Sequence, residues 1–410
     1  MFHRKSFSCI ILFLFFWSNC TFAGGYQVNL QGVKQTGMGH CGVSLYQGPS
    51  NLFFNPGSIG QGSEKIAFAA GISLIDARLI HYNPTVNKSF RNNRKLGTPI
   101  GIYYTHKINK NFTAGLAVFT PFGSSLEYEE GWAGRYVLTD ISLGTIYAQP
   151  TIAFQKGPVG IGVGIMLGSG WLNFAQDIPI TDSQGNVANV RLDAKANSYA
   201  FNLGLSINIT EGLDFGASYR TSHRYKVTDG KADFTVPSSA QEQLKDQEFS
   251  SELWAPANAM FGLTLTPTKR LVISGEVNFT FWSVYRDLKI DFKENSDALA
   301  DVDEPRRWRD SETFRFGVQY QLSNSVVVRA GYSKDNTPVN RDYYGPETPD
   351  SDRRGYHVGT SVKIRKGLKL DLAFQLAEAE QIEARHKPSG FSGVYKGRAF
   401  VYAGGLSYAF

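Results

Sequence analysis

The groupings in this chain that could do chemistry are few. His357 and Ser361 stand four residues apart in a stretch where Val358 and Val362 take the alternate positions, so an extended backbone puts both polar groups on one face. A serine beside a histidine begins a hydrolytic site, but the imidazole needs a third group to orient it. None stands at a spacing that would supply one. His106, His223 and His386 fall at strand ends or loops, without the spacing of metal ligands. Cys41 is the one cysteine beyond residue 23, which excludes a thiolate cluster and leaves it as a small hydrophobe. The run Gly160-Ile161-Gly162-Val163-Gly164 has the look of a phosphate loop, yet no Lys-Ser/Thr follows it and its glycines alternate with apolar residues. In a strand such glycines thin one face so that another backbone can approach. No catalytic residue, metal site or cofactor is expected. Arg315 and Arg329 remain, each on the polar face of an alternating stretch, with Glu276 and Asp371 on similar faces. Two readings stand: these charges pair with one another and with other buried groups, or an arginine receives a ligand carboxylate through a charge-assisted bond.

The elements that carry these residues are strands. In 368–376, Leu368, Leu370, Leu372, Phe374 and Leu376 alternate with polar or small residues. Tyr199, Phe201, Leu203, Leu205 and Ile207 oppose Asn202, Gly204, Ser206 and Asn208. Phe314, Phe316, Val318 and Tyr320 oppose Arg315, Gly317 and Gln319. Period two means strands with one face in apolar surroundings and the other wet. Continuous rows of Phe and Leu facing small and polar residues suit a large barrel in lipid better than a soluble sandwich. Very short connections (107–111, 156–157, 210–212, 267–269, 323–324, 365–367) alternate with long polar stretches (76–97, 129–139, 176–190, 237–251, 289–310, 338–352, 384–393). Short periplasmic turns alternating with long external loops are expected of such a barrel, and the breaks divide the chain into about fourteen antiparallel strands. The seventh, through Tyr225, Val227 and Phe234, and the thirteenth, past Glu378, are long enough to project outward.

Composition agrees. Arg4 and Lys5 precede the apolar run 10–17, and Thr21-Phe22-Ala23 ends in a small residue, so 1–23 reads as a secretory signal peptide and Gly24 as the first mature residue. Losing Arg4 and Lys5 takes the formal charge from +6 to +4, too mild to argue for nucleic acid. Beyond the leader no apolar run approaches the roughly 20 residues of a membrane helix. The slightly negative mean hydropathy fits a barrel, whose polar lumen offsets its apolar exterior. The last strand ends Tyr402, Leu406, Tyr408 and Phe410 on one face. That pattern resembles the C-terminal strand read by the outer-membrane assembly machinery.

Two further stretches specify what kind of barrel. Ser50 to Gly60 contains Phe53-Phe54-Asn55-Pro56-Gly57, an apolar pair running into a turn, placed before the first strand. Its place is inside the barrel as a plug, dividing the chain into plug 24–62 and barrel 63–410. The third strand meets Thr120-Pro121-Phe122-Gly123, where a residue without a ladder donor and a flexible one either end the strand or break it within the membrane. A break there exposes backbone groups that need cover, and the turn Asn55-Pro56-Gly57 is the expected cover. With Gly25-Tyr26-Gln27-Val28-Asn29 and Gly37-Met38-Gly39, these motifs resemble the FadL family of outer-membrane transporters for long-chain fatty acids and related hydrophobic compounds, over essentially all of 24–410. Gly57 stands where that family often has alanine. The resemblance implies an all-β transmembrane barrel in the bacterial outer membrane, plugged from the periplasmic side. It further implies a kinked third strand and a ligand, fatty acid or aromatic hydrocarbon, that leaves sideways into the bilayer. Its partners are then the ligand, the surrounding lipid and lipopolysaccharide, and the assembly machinery, with the protein expected to be a monomer. A porin-like channel for polar solutes, or a structural or adhesive barrel, is the alternative; a sealing plug argues against both.

Overall fold

The computed structural model describes residues 24–410; the leader expected over 1–23 lies outside them. Twenty-two strand segments join one antiparallel sheet. Counted as passages of the wall they make a closed barrel of 14 strands. Closure is made by the first strand, Ile66–Asn83, against the last, Phe391–Ala409, in unbroken register from Ala67↔Ala409 to Tyr82↔Val394.

The alternation sorts residues in the sense opposite to a soluble protein. Phe316 is 50% exposed while Arg315, its neighbour in Ser311–Gln321, is 5% exposed. Leu203 and Phe201 face outward, and Asn202 and Ser206 are buried within. Only a surround that accepts hydrocarbon makes that arrangement favourable. At one end the connections are tight turns, with Gly157 (φ 56°) and Gly367 (φ 78°) in the left-handed region that such turns require.

At the other end the strands run far past the membrane. Val159–Thr181 and Val187–Thr210 are 23 and 24 residues long, against the 9–11 or so that a tilted strand needs to cross. The seventh strand continues from Leu213–Arg220 into His223–Thr235, and the thirteenth from Leu368–Ala379 into Ile382–His386, as expected. Several stretches read from the sequence as loops are in fact strand. Most of 76–97 is the extension of Ile66–Asn83 and its return Lys88–Asn93, most of 176–190 is paired, and 289–310 contains two short strands. Above the bilayer a strand has no lipid face, so its apolar alternation lapses and its composition becomes that of a loop. A second apolar cluster, including Val190, Leu192, Val227, Phe249 and Phe292, holds part of this outer extension together.

Residues 24–62 are not part of the wall. They contain two single-turn helices, Val33–Thr36 and Asn51–Phe54, and the 3-10 turn Pro56–Gln61, and most of their side chains are buried against the inner faces of the strands.

Candidate functional site

The inner segment is held by hydrogen bonds at its own turns. Asn55 has an extended backbone and caps the turn Pro56–Gln61, its Oδ1 accepting from Gly57 N–H at 2.9 Å. Its Nδ2 donates to Val43 O at 2.7 Å within the segment and to Leu205 O at 2.8 Å in the wall. Close approach needs a bare wall: a Cβ on Gly57 would lie 2.6 Å from Gly204 O, and Gly160 and Gly162 face the same turn. The alternating glycines therefore do thin the wall for the segment. From the wall, Gln149 donates to Leu52 O at 2.7 Å and Asn202 to Leu52 O at 3.1 Å and Phe53 O at 3.2 Å. Glu276 adds an attachment from the strand Leu271–Thr280. Its Oε1 accepts from the consecutive backbone N–H groups of Gly42 and Val43, both at 2.7 Å, and more weakly of Ser44 at 3.4 Å. Successive N–H groups converging on a carboxylate form an anion nest.

The charged residues singled out in the sequence belong to this attachment. Arg315 lies opposite Glu276 in the strand register and donates to His40 O at 3.3 Å. Arg329 donates to Gln319 Oε1 and Ser361 Oγ, both at 2.8 Å. Asp371 accepts from Ser361 and Ser407 and lies 3.8 Å from Lys34 of the inner segment. His357 and Ser361 do not meet: His357 Nδ1 donates to Thr36 O at 2.9 Å, and its Nε2 accepts from the Ser333 hydroxyl at 3.0 Å. The would-be hydrolytic pair is a pair of wall anchors.

The third strand breaks where Pro121 stands. Phe112–Phe119 pairs with both neighbours up to Gly101↔Phe119 and Phe119↔Tyr147. Beyond it, Gly123–Tyr128 keeps its pairing to the fourth strand but meets the second only at Asn93↔Glu127 and Asn92↔Tyr128. Between those limits the second and third strands part, joined through the Thr120 side chain, whose Oγ1 accepts from Ile100 N–H at 3.0 Å and donates to Ile100 O at 3.4 Å. The window is closed at the top by Glu127, which takes Lys95 and Asn93.

The cover of this window differs from the one expected. The turn Asn55-Pro56-Gly57 lies against Gly160, Gly162 and Gly204, away from the break. The segment's first residues do the covering. Gln27 forms a bridge with Phe122, Val28 N–H donates to Pro121 O at 2.8 Å, and Gly123 N–H donates to Tyr26 O at 3.0 Å. Gln31 Nε2 donates to Thr120 O at 2.8 Å. A tripeptide turn such as Asn55-Pro56-Gly57 is conspicuous in a sequence; that Tyr26-Gln27-Val28 pairs through its backbone is not. The arm is anchored above as well. Tyr26 sits against Trp282 (4.6 Å), Trp308 (5.8 Å) and Phe122 (6.1 Å), its hydroxyl donating to Trp254 O at 2.7 Å. Gly25 N–H donates to Asp350 Oδ2 at 2.8 Å in an external loop, where burial pushes the Asp350 carboxyl up despite Arg353 nearby.

Beside the break lies a residue the sequence reading passed over. Arg220 is buried, with its guanidinium 3.9 Å over the Phe53 ring. Phe53 packs edge-on to Phe119 at 5.2 Å, which stacks near Tyr147 at 5.9 Å, with His223 4.6 Å from Tyr147. Arg220 has no carboxylate partner among the described residues, and its Nε is buried without an acceptor. Its parity was available: Tyr219 faces out, so Arg220 faces in. On the lipid side, Val118, Ile146, Ala148, Leu167 and Tyr199 line an apolar groove of about 560 Å³.

A closed membrane barrel, filled by its own N-terminal segment and broken at one strand whose edge that segment covers, has the architecture of an outer-membrane transport protein. The family described as outer membrane protein transport protein (OMPP1/FadL/TodX) matches residues 14–410, and the chain belongs to it. An outer membrane protein of Neisseria meningitidis serogroup B is 23% identical over 400 residues, covering 86% of this chain and 85% of that one. Outer membrane protein P1 of Haemophilus influenzae is 21% identical over 317 residues, 68% and 66% of the two chains. The fold matches the crystal structure of a Pseudomonas aeruginosa FadL homologue with a TM-score of 0.83 at 19% identity (94% and 100% covered). It matches the Pseudomonas putida toluene transporter TodX with a TM-score of 0.74 at 17% identity (92% and 98% covered).

The attachment at Glu276 gives a first prediction. Glu276→Ala leaves three backbone N–H groups without their acceptor, at a cost of about 1–3 kcal/mol for each one stranded. The barrel keeps its heat-modifiable gel mobility, while limited proteolysis cuts within 40–48 at least tenfold faster than in wild type. An unchanged cleavage rate would show that the nest does not hold the segment.

Proposed function

We propose that this protein takes up hydrophobic molecules, long-chain fatty acids foremost, passively across the outer membrane, and that residues 24–62 act as its plug. The observation that carries this reading is the broken third strand with the arm Tyr26–Val28 paired onto its free edge. A pore for polar solutes has no use for a break in its wall at membrane depth. A transporter of apolar molecules does, because passage into the periplasm would return the ligand to water and forfeit roughly 0.8 kcal/mol per buried CH₂. A sideways exit keeps it in apolar surroundings, and the groove on the lipid face beside Val118 offers a place to leave from. Withdrawal of the arm opens the window without any energy source. The protein acts as a monomer on this reading, with the strand ending at Phe410 addressing the assembly machinery.

The acid group of the ligand is received by Arg220 in preference to Arg315 and Arg329. Those two are occupied by the wall and the plug, whereas Arg220 faces the aromatic side chains next to the break with no anion of its own. Arg220→Gln therefore lowers affinity for a fatty acid about tenfold, as loss of one charge-assisted bond would. Binding of the methyl ester barely changes. Equal effects on acid and ester would remove the carboxylate from Arg220.

The lateral exit is tested by mending the strand. Pro121→Val with Gly123→Thr restores a donor and raises β-propensity. A folded variant, judged by heat-modifiable mobility at equal surface expression, loses uptake of labelled fatty acid. Full uptake by a folded variant whose backbone is shown to be straight would favour a route past the plug.

A further inference from the structure

We propose that the outer face of the barrel seam is a binding site for the phosphorylated headgroup of an outer-leaflet glycolipid, clasped between Arg78 and Arg398. The seam is the pairing of Ile66–Asn83 with Phe391–Ala409. Its lipid face is marked by exposed Phe68, Ile72 and Leu74 on one strand and Tyr402 and Leu406 on the other. Following the same face outward, the register brings Asp76 opposite Phe400, Arg78 opposite Arg398 and Ile80 opposite Lys396. From Phe68 to Arg78 is a rise of about ten residues, the length of a tilted spanning strand. The guanidiniums therefore stand where hydrocarbon ends and headgroups begin.

Two arginines directly opposite one another across an antiparallel pair repel, so this register needs a counter-anion. The protein supplies part of one. Asp76 takes Arg78 at 2.8 Å, but Arg94 takes the same carboxylate. On the far side Glu378 is opposite Arg398 in the register, yet Arg398 makes no ion pair among the described residues. Lys396, one step further out, is exposed and also makes none. What holds the two guanidiniums together is Phe400. Arg78 lies 4.7 Å and Arg398 5.4 Å from the centre of its ring. Cation–π contact of this kind fixes the planes of the guanidiniums; Arg78 gives Nε and Nη2 to Asp76 and keeps Nη1, while the N–H edge of Arg398 makes no ion pair among the described residues. The pre-oriented fork of Arg398, with the remaining nitrogen of Arg78 and the Lys396 ammonium beside it, suits the oxygens of a phosphate. A glycolipid is the source the position selects, since its acyl chains would lie along Leu74 and Tyr402 directly below.

The probe is bisphosphorylated lipid A, titrated into full-length mature protein in nanodiscs of zwitterionic lipid. Each cation at such a surface is worth about fivefold in affinity. Arg78→Gln with Arg398→Gln should thus bind roughly thirtyfold more weakly, Arg398→Gln alone about fivefold, and wild type should lose similarly when the lipid A is dephosphorylated. Heat-modifiable mobility certifies that each variant is folded; if the double variant does not fold, the single one decides. Undiminished binding by the folded variant, or equal binding of dephosphorylated lipid A by wild type, would overturn the site. Inorganic pyrophosphate competing as effectively as lipid A would overturn the lipid as its source.

Discussion

Everything particular about this barrel follows from one constraint: backbone hydrogen-bonding groups in the hydrocarbon of a membrane must be paired. A closed antiparallel sheet satisfies that condition without exception, and here the seam is paired throughout. The third strand violates it. From Thr120 to Leu126 the ladder to the second strand is lost, at a cost on the order of several kcal/mol for each group left bare. The N-terminal arm repairs it by adding itself as a short strand from within. The repair is non-covalent, made by a few backbone bonds, and comes from a segment whose other attachments are spread around the wall, from Gln149 to Glu276 and His357. The proposed function requires that a wall mended in this way can be reopened.

The rest of the lumen is organised to hold the arm where it is needed. Glu276, Asn202, Gln149 and Asn55 fix the middle of the inner segment to the wall; on the proposed function only 24–31 would then need to move. Tyr26 and Gly25 tie the arm upward to Trp282, Trp308 and Asp350 in the external structure. The external loops and the break are thus joined through one stretch of chain. On the proposed function, a ligand that competed for the aromatic surroundings of Tyr26 would loosen the cover over Phe122 in the same step.

The sequence made much of this legible because a membrane barrel writes its inside and outside into alternate residues. Strand existence, strand number, the glycine face at Gly160 and Gly162 and the break at Pro121 all follow from that alternation and its interruptions. The external strand extensions did not show, since above the bilayer both faces are wet and the alternation fades. The wall groups that grip the inner segment were visible as polar and inward. What they grip was not, because Glu276 and its nest are over 230 residues apart in the chain. Arg220 was hidden by its position at the end of Leu213–Arg220, where a run of polar residues up to Arg224 reads as a loop. The cover over the break was assigned to the wrong part of the inner segment for a related reason: backbone pairing is indifferent to side chains, so Tyr26-Gln27-Val28, though part of a motif that carries the family resemblance, gives no sign of what it pairs with.

The claim that the arm is the removable closure of the wall can be tested by tying it down. Gln27 and Phe122 face each other with hydrogen bonds on either side, the arrangement in which Cα atoms of an antiparallel pair are about 4.5 Å apart, within reach of a disulfide. A Gln27→Cys, Phe122→Cys variant, with the buried Cys41 replaced by Ala, should fold and bind ligand. When oxidised it should take up labelled fatty acid at less than a tenth of its reduced rate, with uptake restored by reductant. Uptake that is the same in the oxidised and reduced forms would mean that the arm does not move, and that the break in the third strand is not a gate.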